Sequence, residues 1–368
     1  MKKRFLGVLL SVAMVAAVLA GCGSSGAKET AAPAGSETEA ASEAASGETE
    51  AAGNTGDVIT VGFSQVGAES DWRTANSESM KSTFSTENGY NLIFDDAQQK
   101  QENQIAAIRN FIQQEVDYIL LAPVTESGWD TVLQEAKDAE IPVIIVDRMV
   151  DVSDDSLYTA WVGSNFKLEG QKACEWLKQY AAAKNMSEVN IVDIQGTIGA
   201  YAEIGRTEAL NEAVEANGWN LLAQQTGEFT QAKGQEVMES MLKQYDNINV
   251  VYCENDNEAF GAIEAIKAAG KTVGPDGDIL VMSFDTTKQG ITDTLSGDII
   301  VNTECNPLHG PRVEQIIKQL QAGETPEKQA YVEEGIYAHG SDVASVSIDG
   351  TDYEVTEVTQ DVVDARAY

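Results

Sequence analysis

The sequence predicts an α/β protein built from two doubly wound, parallel-sheet lobes, and three observations carry that expectation. The chain has 368 residues and is 43% hydrophobic, more than one ordinary domain and enough for two buried cores. Short β-rich runs alternate with helical stretches in two successive series. The residues with the most chemistry then fall just past the ends of those runs, where open parallel sheets hold their ligands.

The first series begins with a strand over residues 58–64 and a helix through Met80 and Phe84. A strand at 91–95 follows, then a helix whose Ile105, Ile108, Phe111 and Ile112 share one face. Strands at 118–122, 143–146 and 159–162 continue it, with a helix to Ala139 between the first two. The second series places strands at 189–195, 221–225, 250–253 and 279–284. One of its helices carries Met238, Met241, Leu242 and Tyr245 at i, i+3, i+4 and i+7. Such alternation implies parallel sheets covered by helices on both faces. Residues 341–368 stand apart: alternation over 343–348, Asp349-Gly350, and a second run over 353–358 predict a β-hairpin.

The chain opens differently. Lys2, Lys3 and Arg4 precede an apolar run over 5–19 that ends at Leu19-Ala20-Gly21-Cys22, so residues 1–21 are expected to be a signal peptide. Small residues before a lone cysteine resemble a bacterial lipobox, making Cys22 the expected lipidated first residue of the mature chain. Residues 22–57 are mainly Ala, Gly, Ser, Thr and Glu with one proline and no aromatic residue, a composition suited to a disordered acidic tether.

Composition also excludes. With 24 Lys+Arg against 59 Asp+Glu the formal charge is −35, which repels phosphate backbones, so no nucleic-acid partner is expected. Two histidines, His309 and His339, and four cysteines without a CxxC pair give no zinc signature, and neither a metal nor a cofactor is expected. No GxGxxG follows the first strand, and GxxxxGK[ST], GxSxG and HExxH are absent, so no enzyme is expected. Asp278, Asp285 and Asp293 include possible glycosidase pairs that spacing alone does not test. Cys174, Cys253 and Cys305 read as buried small hydrophobes, with a Cys253–Cys305 disulfide the less favoured alternative.

The strand ends combine Asp, Asn and Arg with tryptophan: Glu69 to Arg73, Asp95-Asp96, the stretch leading to Trp129, Asp147-Arg148, Glu254-Asn255-Asp256 and Phe284-Asp285. That mixture suits a polyhydroxylated ligand. A sugar hydroxyl both donates and accepts, so a carboxylate and a guanidinium satisfy it together. The C–H face of the ring stacks on an aromatic side chain, for which Trp72, Trp129 and Phe229 are available.

Longer motifs carry a resemblance. Val61-Gly62-Phe63-Ser64-Gln65-Val66-Gly67 with Trp72-Arg73, Asp96-Ala97-Gln98-Gln99-Lys100, Gly128-Trp129, Asp147-Arg148, Gln195-Gly196-Thr197, Thr226-Gly227-Glu228-Phe229-Thr230 and Asn255-Asp256 resemble the type I periplasmic sugar-binding family of ABC importers, in particular its galactofuranose-binding branch. The likeness spans about 58–340. It implies two Rossmann-like lobes joined by a three-strand hinge, a first lobe of 58–163 plus 306–337, and a second of 164–305 plus residues from about 338. The crossings would fall near 163–165, 304–306 and 337–339. The implied ligand contacts are Glu69, Trp72, Arg73, Asp147, Arg148, Arg206, Asn255, Asp285 and Glu304, with Asp96, Trp129 and Phe229 in a second tier. It further implies a monomer that binds a monosaccharide, galactofuranose foremost, and delivers it to permease subunits, held at the outer face of the membrane by lipid on Cys22. A sugar sensor that presents its ligand to a receptor kinase would share this signature. A LacI-type repressor shares the core, but needs a basic helix-turn-helix where this chain has its lipobox. Three departures stand out: Asp71 and Thr286 occupy positions where the resemblance leads one to expect glycine, and Glu254 precedes Asn255 where it leads one to expect a different side chain.

Overall fold

A computed structural model describes residues 58–368; the expected signal peptide, Cys22 and the expected tether fall outside the described residues. The first lobe is built on β1 (Ile59–Gln65), β2 (Tyr90–Asp96), β3 (Tyr118–Leu121), β4 (Val143–Val146) and β5 (Ala160–Gly163). The helices α1 (Asp71–Thr83), α2 (Gln101–Gln113) and α3 (Asp130–Asp138) connect them. The chain then crosses to α4 (Phe166–Ala183) and the second lobe: β6 (Asn190–Gln195), α5 (Tyr201–Asn217), β7 (Asn220–Thr226), α6 (Gln231–Gln244), β8 (Val250–Cys253), α7 (Asp256–Ala268), β9 (Leu280–Asp285), α8 (Lys288–Ser296) and β10 (Val301–Glu304). It returns through α9 (Gly310–Gln321) and β11 (Gln329–Tyr331) to the first sheet. It ends in the second with β12 (Ile336–Ala338), β13 (Ser345–Ile348), β14 (Thr351–Glu357) and α10 (Gln360–Ala365).

The sheets run β11-β5-β4-β3-β1-β2, parallel throughout, and β13-β14-β12-β10-β9-β8-β6-β7. In the second sheet β12 is antiparallel to β10, and β13 and β14 form an antiparallel pair at its edge. Strand β4 is Val-Ile-Ile-Val, buried on both faces. Ile144 and Val146 pack with Met80, Phe84 and Val313 on one side, while Ile145 packs with Phe111, Trp129 and Leu133 on the other. Helices therefore cover both faces, as the alternation predicts. The three cysteines are buried and free, which removes the Cys253–Cys305 disulfide.

Three segments join the lobes: Ser164 and Asn165, residues 305–309, and residues 332–335. The third lies upstream of the expected 337–339, because Tyr337 already pairs with Asn302 inside the second sheet. At the first segment only glycine fits position 163, since a Cβ there would stand 2.1 Å from the Asp147 carbonyl.

Candidate functional site

The C-terminal ends of β1 and β4 in one lobe and of β8 and β9 in the other converge on a small cavity. It is lined by Glu69, Ser70, Trp72, Arg73, Asp147, Arg148, Phe166, Ala202, Arg206, Phe229, Asn255, Asp285 and Cys305. The lobes are closed upon it. Trp72 Nε1 donates to the Cys305 carbonyl of the second crossing (2.7 Å). From one lobe to the other, Asp71 N donates to Asn257 Oδ1 (3.0 Å) and Glu126 N to the Gly199 carbonyl (2.9 Å).

Local structure explains how each side chain arrives. Ser70 caps α1, accepting from Arg73 N, so the first turn of the helix presents Trp72 and Arg73 inward. Asn255 caps α7 in the same manner through Glu258 N (2.8 Å) and donates to the Phe229 carbonyl. Asp147 and Asp285 end their strands in left-handed backbone, φ 66° and 99°. Non-glycine residues rarely adopt that region, and such strain concentrates at functional sites. Gly196 leaves room for the Phe229 ring, which a Cβ would meet at 1.9 Å.

Each lobe contributes arginine flanked by carboxylates. In the first, Arg73 donates to Glu69 Oε1 (3.0 Å) and Asp147 Oδ2 (2.8 Å), and Arg148 lies 3.7 Å from Glu69. In the second, Arg206 donates to Glu169 Oε2 (2.9 Å) and the Glu254 carbonyl and stands 3.4 Å from Asp285 Oδ1. Burial disfavours the charge on Arg73, but Asp147 and Glu69 outweigh it and raise its pKa. Arg148 moves the other way: burial first, then the Arg73 charge, lower it to about 10. Burial raises Asp285 well above the ordinary carboxylate range despite Arg206. Glu69 Oε2 is buried in the cavity wall without a hydrogen-bond partner. Arg148 faces the Phe229 ring at 5.0 Å across the cleft, and Arg73 covers Trp72 at 4.6 Å. The result is a closed chamber with donors and acceptors fixed on both sides and aromatic walls at Trp72, Phe166 and Phe229.

Nine of the twelve expected contacts meet in this cavity: Glu69, Trp72, Arg73, Asp147, Arg148, Arg206, Asn255, Asp285 and Phe229. Three do not. Glu304 is drawn away to Arg366 Nη1 (2.6 Å), the Tyr368 hydroxyl (2.7 Å) and Gly335 N (2.9 Å). Trp129 is wholly buried in the first lobe, its Nε1 donating to the Thr125 carbonyl. Asp96 sits exposed at the end of β2 and accepts from Gln98 N. The cavity also uses Ser70, Phe166, Ala202 and Cys305, none of which was expected there; only the cap position of Ser70 before a helix could have signalled one of them.

The family described as "Periplasmic binding protein domain" matches residues 61–303. The galactofuranose-binding protein YtfQ of Escherichia coli (strain K12) is 42% identical over 284 residues, 76% of this chain and 87% of that protein. A crystal structure from Mycobacterium smegmatis in complex with β-D-fucofuranose is 44% identical, with a TM-score of 0.73 over 76% of this chain and 91% of that one. The binding component of an arabinose ABC transporter from Shewanella sp. ANA-3, bound to α- and β-L-arabinofuranose, is 42% identical, with a TM-score of 0.71 over 76% and 92%.

Proposed function

Because the chain belongs to the periplasmic binding protein domain family, we propose that it captures a monosaccharide in the furanose form, galactofuranose foremost, for an ABC importer. The observation that carries the reading is the pair of arginine–carboxylate sets, one from each lobe, facing each other across a chamber with aromatic walls. Charged hydrogen bonds of this kind contribute about 1.5–3 kcal/mol each, and the aromatic walls accept the apolar face of a ring. The furanose preference rests on the relatives, two of which hold five-membered sugar rings.

The work is binding without chemistry. Closing on sugar exchanges hydration for buried hydrogen bonds and shifts the open–closed balance by the difference in affinity between the two states. Membership of the family implies an exported protein, and the importer role implies permease subunits as partners. A lipid on Cys22 and a tether over 22–57 would keep a monomeric binder at high local concentration beside them. A thermal-shift screen of the purified chain against galactofuranosides, arabinose, galactose, ribose, xylose, glucose and fructose tests the reading. Ligand at 100 times its Kd adds about 2.7 kcal/mol of stability, so a clear rise in Tm is expected. The rise should shrink to about half or less in Asp147→Ala and in Arg148→Ala. No shift with any of these sugars would overturn the assignment.

A further inference from the structure

We propose that Glu334 and Glu169 share one proton in a carboxyl pair at the hinge, so that closing the lobes on sugar takes up that proton. The proposal rests on the sugar-binding reading and adds a titrating device to it.

Glu334 lies on the third crossing, and its Oε1 accepts from Ser164 Oγ of the first crossing (2.6 Å) and Asn306 N of the second (2.7 Å). One carboxyl oxygen therefore joins all three connections between the lobes. The Glu334 carboxyl also meets that of Glu169, with Cys305 Sγ completing a group whose atoms lie within 4.8 Å of one another. Glu169 Oε2 is committed to Arg206, the cavity arginine, while its Oε1 is buried with no donor. Two carboxyl groups with oxygens within 4.8 Å of each other, one of those groups carrying an orphaned oxygen, favour one shared proton over two buried charges.

The charge balance around the pair agrees. Lys172 of α4 donates to the Glu334 carbonyl (2.9 Å) and lies 4.4 Å over the ring of Tyr353 in β14. Arg206 of α5 faces Glu169 and, behind it, Asp285 of β9. Glu304 of β10 is neutralised by Arg366 of the tail. The thiol of Cys305 is pushed up by burial and stays neutral. Three carboxyl groups, Glu169, Glu334 and Asp285, thus face two cations, and one proton removes the excess. Burial, opposed by Arg206, raises the pKa of Glu169; burial and then the Glu169 charge raise that of Glu334.

Under this reading, opening the hinge admits water to the pair and returns its acidity toward the ordinary carboxylate range. Closing then binds a proton, so sugar affinity falls as pH rises, by at most about one log unit per pH unit for a single proton. Calorimetry with a galactofuranoside from pH 5.5 to 8 should show about tenfold or greater weakening in the wild type. Glu334→Gln keeps an acceptor for Ser164 and Asn306 and gives Glu169 a permanent donor; it should bind at every pH as the wild type binds at low pH. A flat wild-type profile, or an unchanged slope in Glu334→Gln, overturns the proposal. A second measurement needs no sugar: in small-angle scattering of the unliganded chain, the wild type should open further as pH rises from 5.5 to 8, because the closed state binds the proton, and Glu334→Gln should not. If no sugar binds, the function reading falls on its own. The scattering then decides the shared proton: opening with pH in the wild type but not in Glu334→Gln retains the pair, and matching profiles of the two proteins at every pH overturn it.

Discussion

Asp147→Asn removes one charge from the cavity and almost nothing else. Glu69 and Asp147 balance Arg73 and Arg148 two against two, all four side chains nearly inaccessible to solvent. The amide keeps an oxygen to accept from Arg73 Nη2, now 2.8 Å from the carboxylate, but one positive charge is left buried without compensation. Breaking a buried ion pair by removing one partner costs about 3–5 kcal/mol, and the retained oxygen places this substitution toward the lower end. The φ of 66° adds little to that, because asparagine tolerates left-handed backbone. Alanine does not, so Asp147→Ala should melt lower than Asp147→Asn. In binding, loss of a charged hydrogen bond to a sugar hydroxyl is worth about 1.5–3 kcal/mol, roughly 10- to 150-fold in Kd. Calorimetry of both variants with a galactofuranoside, beside their melting curves, reads the two effects separately. Asp147→Asn affinity within twofold of the wild type, with a lowered Tm, would refute the reasoning and leave Asp147 as a purely structural partner of Arg73.

Trp129→Ala should lower stability by about 3–5 kcal/mol and leave sugar affinity unchanged, since the ring fills the first-lobe core; a melting curve and one titration check both halves. Phe229→Leu should keep the fold and weaken binding several-fold in titration, because it removes the aromatic wall opposite Arg148. Burial, with the Asp147 charge opposing, lowers the pKa of His309 to about 4, so the histidine is neutral in the fold. Its contribution is fully present above the unfolded value near 6.5 and is lost as pH falls from there to 4, about 3 kcal/mol in all. Denaturant titrations across that range should show a shallower acid loss in His309→Gln.

Strands were legible because β4 and β8 are apolar on both faces, a pattern that only a sandwiched parallel sheet satisfies. Arginine and aspartate at the ends of such strands were legible for the same reason, since a charge directly after a buried run must face a cleft or water. Trp129 was misassigned because a tryptophan before a helix looks alike whether its ring turns to the cleft or to the core. Glu304 was misassigned because its partners, Arg366 and Tyr368, lie more than 60 residues away on a tail with no readable placement. Thr286 gives the opposite lesson. Its φ of 53° follows Asp285 at 99°, which explains why glycine is expected there and why the departure stands out.

The same pairing that hid Glu304 bears on how the molecule closes. Every cavity cation is already matched by protein carboxylates before a sugar enters, Arg73 and Arg148 by Glu69 and Asp147, Arg206 by Glu169 and Asp285. A neutral sugar therefore meets charges whose positions are fixed and whose fields are largely cancelled, and it forms short-range hydrogen bonds without having to neutralise a lobe. An anionic sugar acid would meet the unpartnered Glu69 Oε2 and the Asp285 carboxyl at close range, and the charge of Arg148, the arginine with the longest carboxylate contacts, is already balanced within its set. Discrimination against acids thus follows from the charge balance of the wall, while discrimination among neutral sugars is left to the shape set by Trp72, Phe166 and Phe229. A galactofuranoside should accordingly outcompete its uronic-acid counterpart in a displacement titration by at least tenfold, and equal binding of the two would mean that the arginines are less fully matched than their geometry indicates.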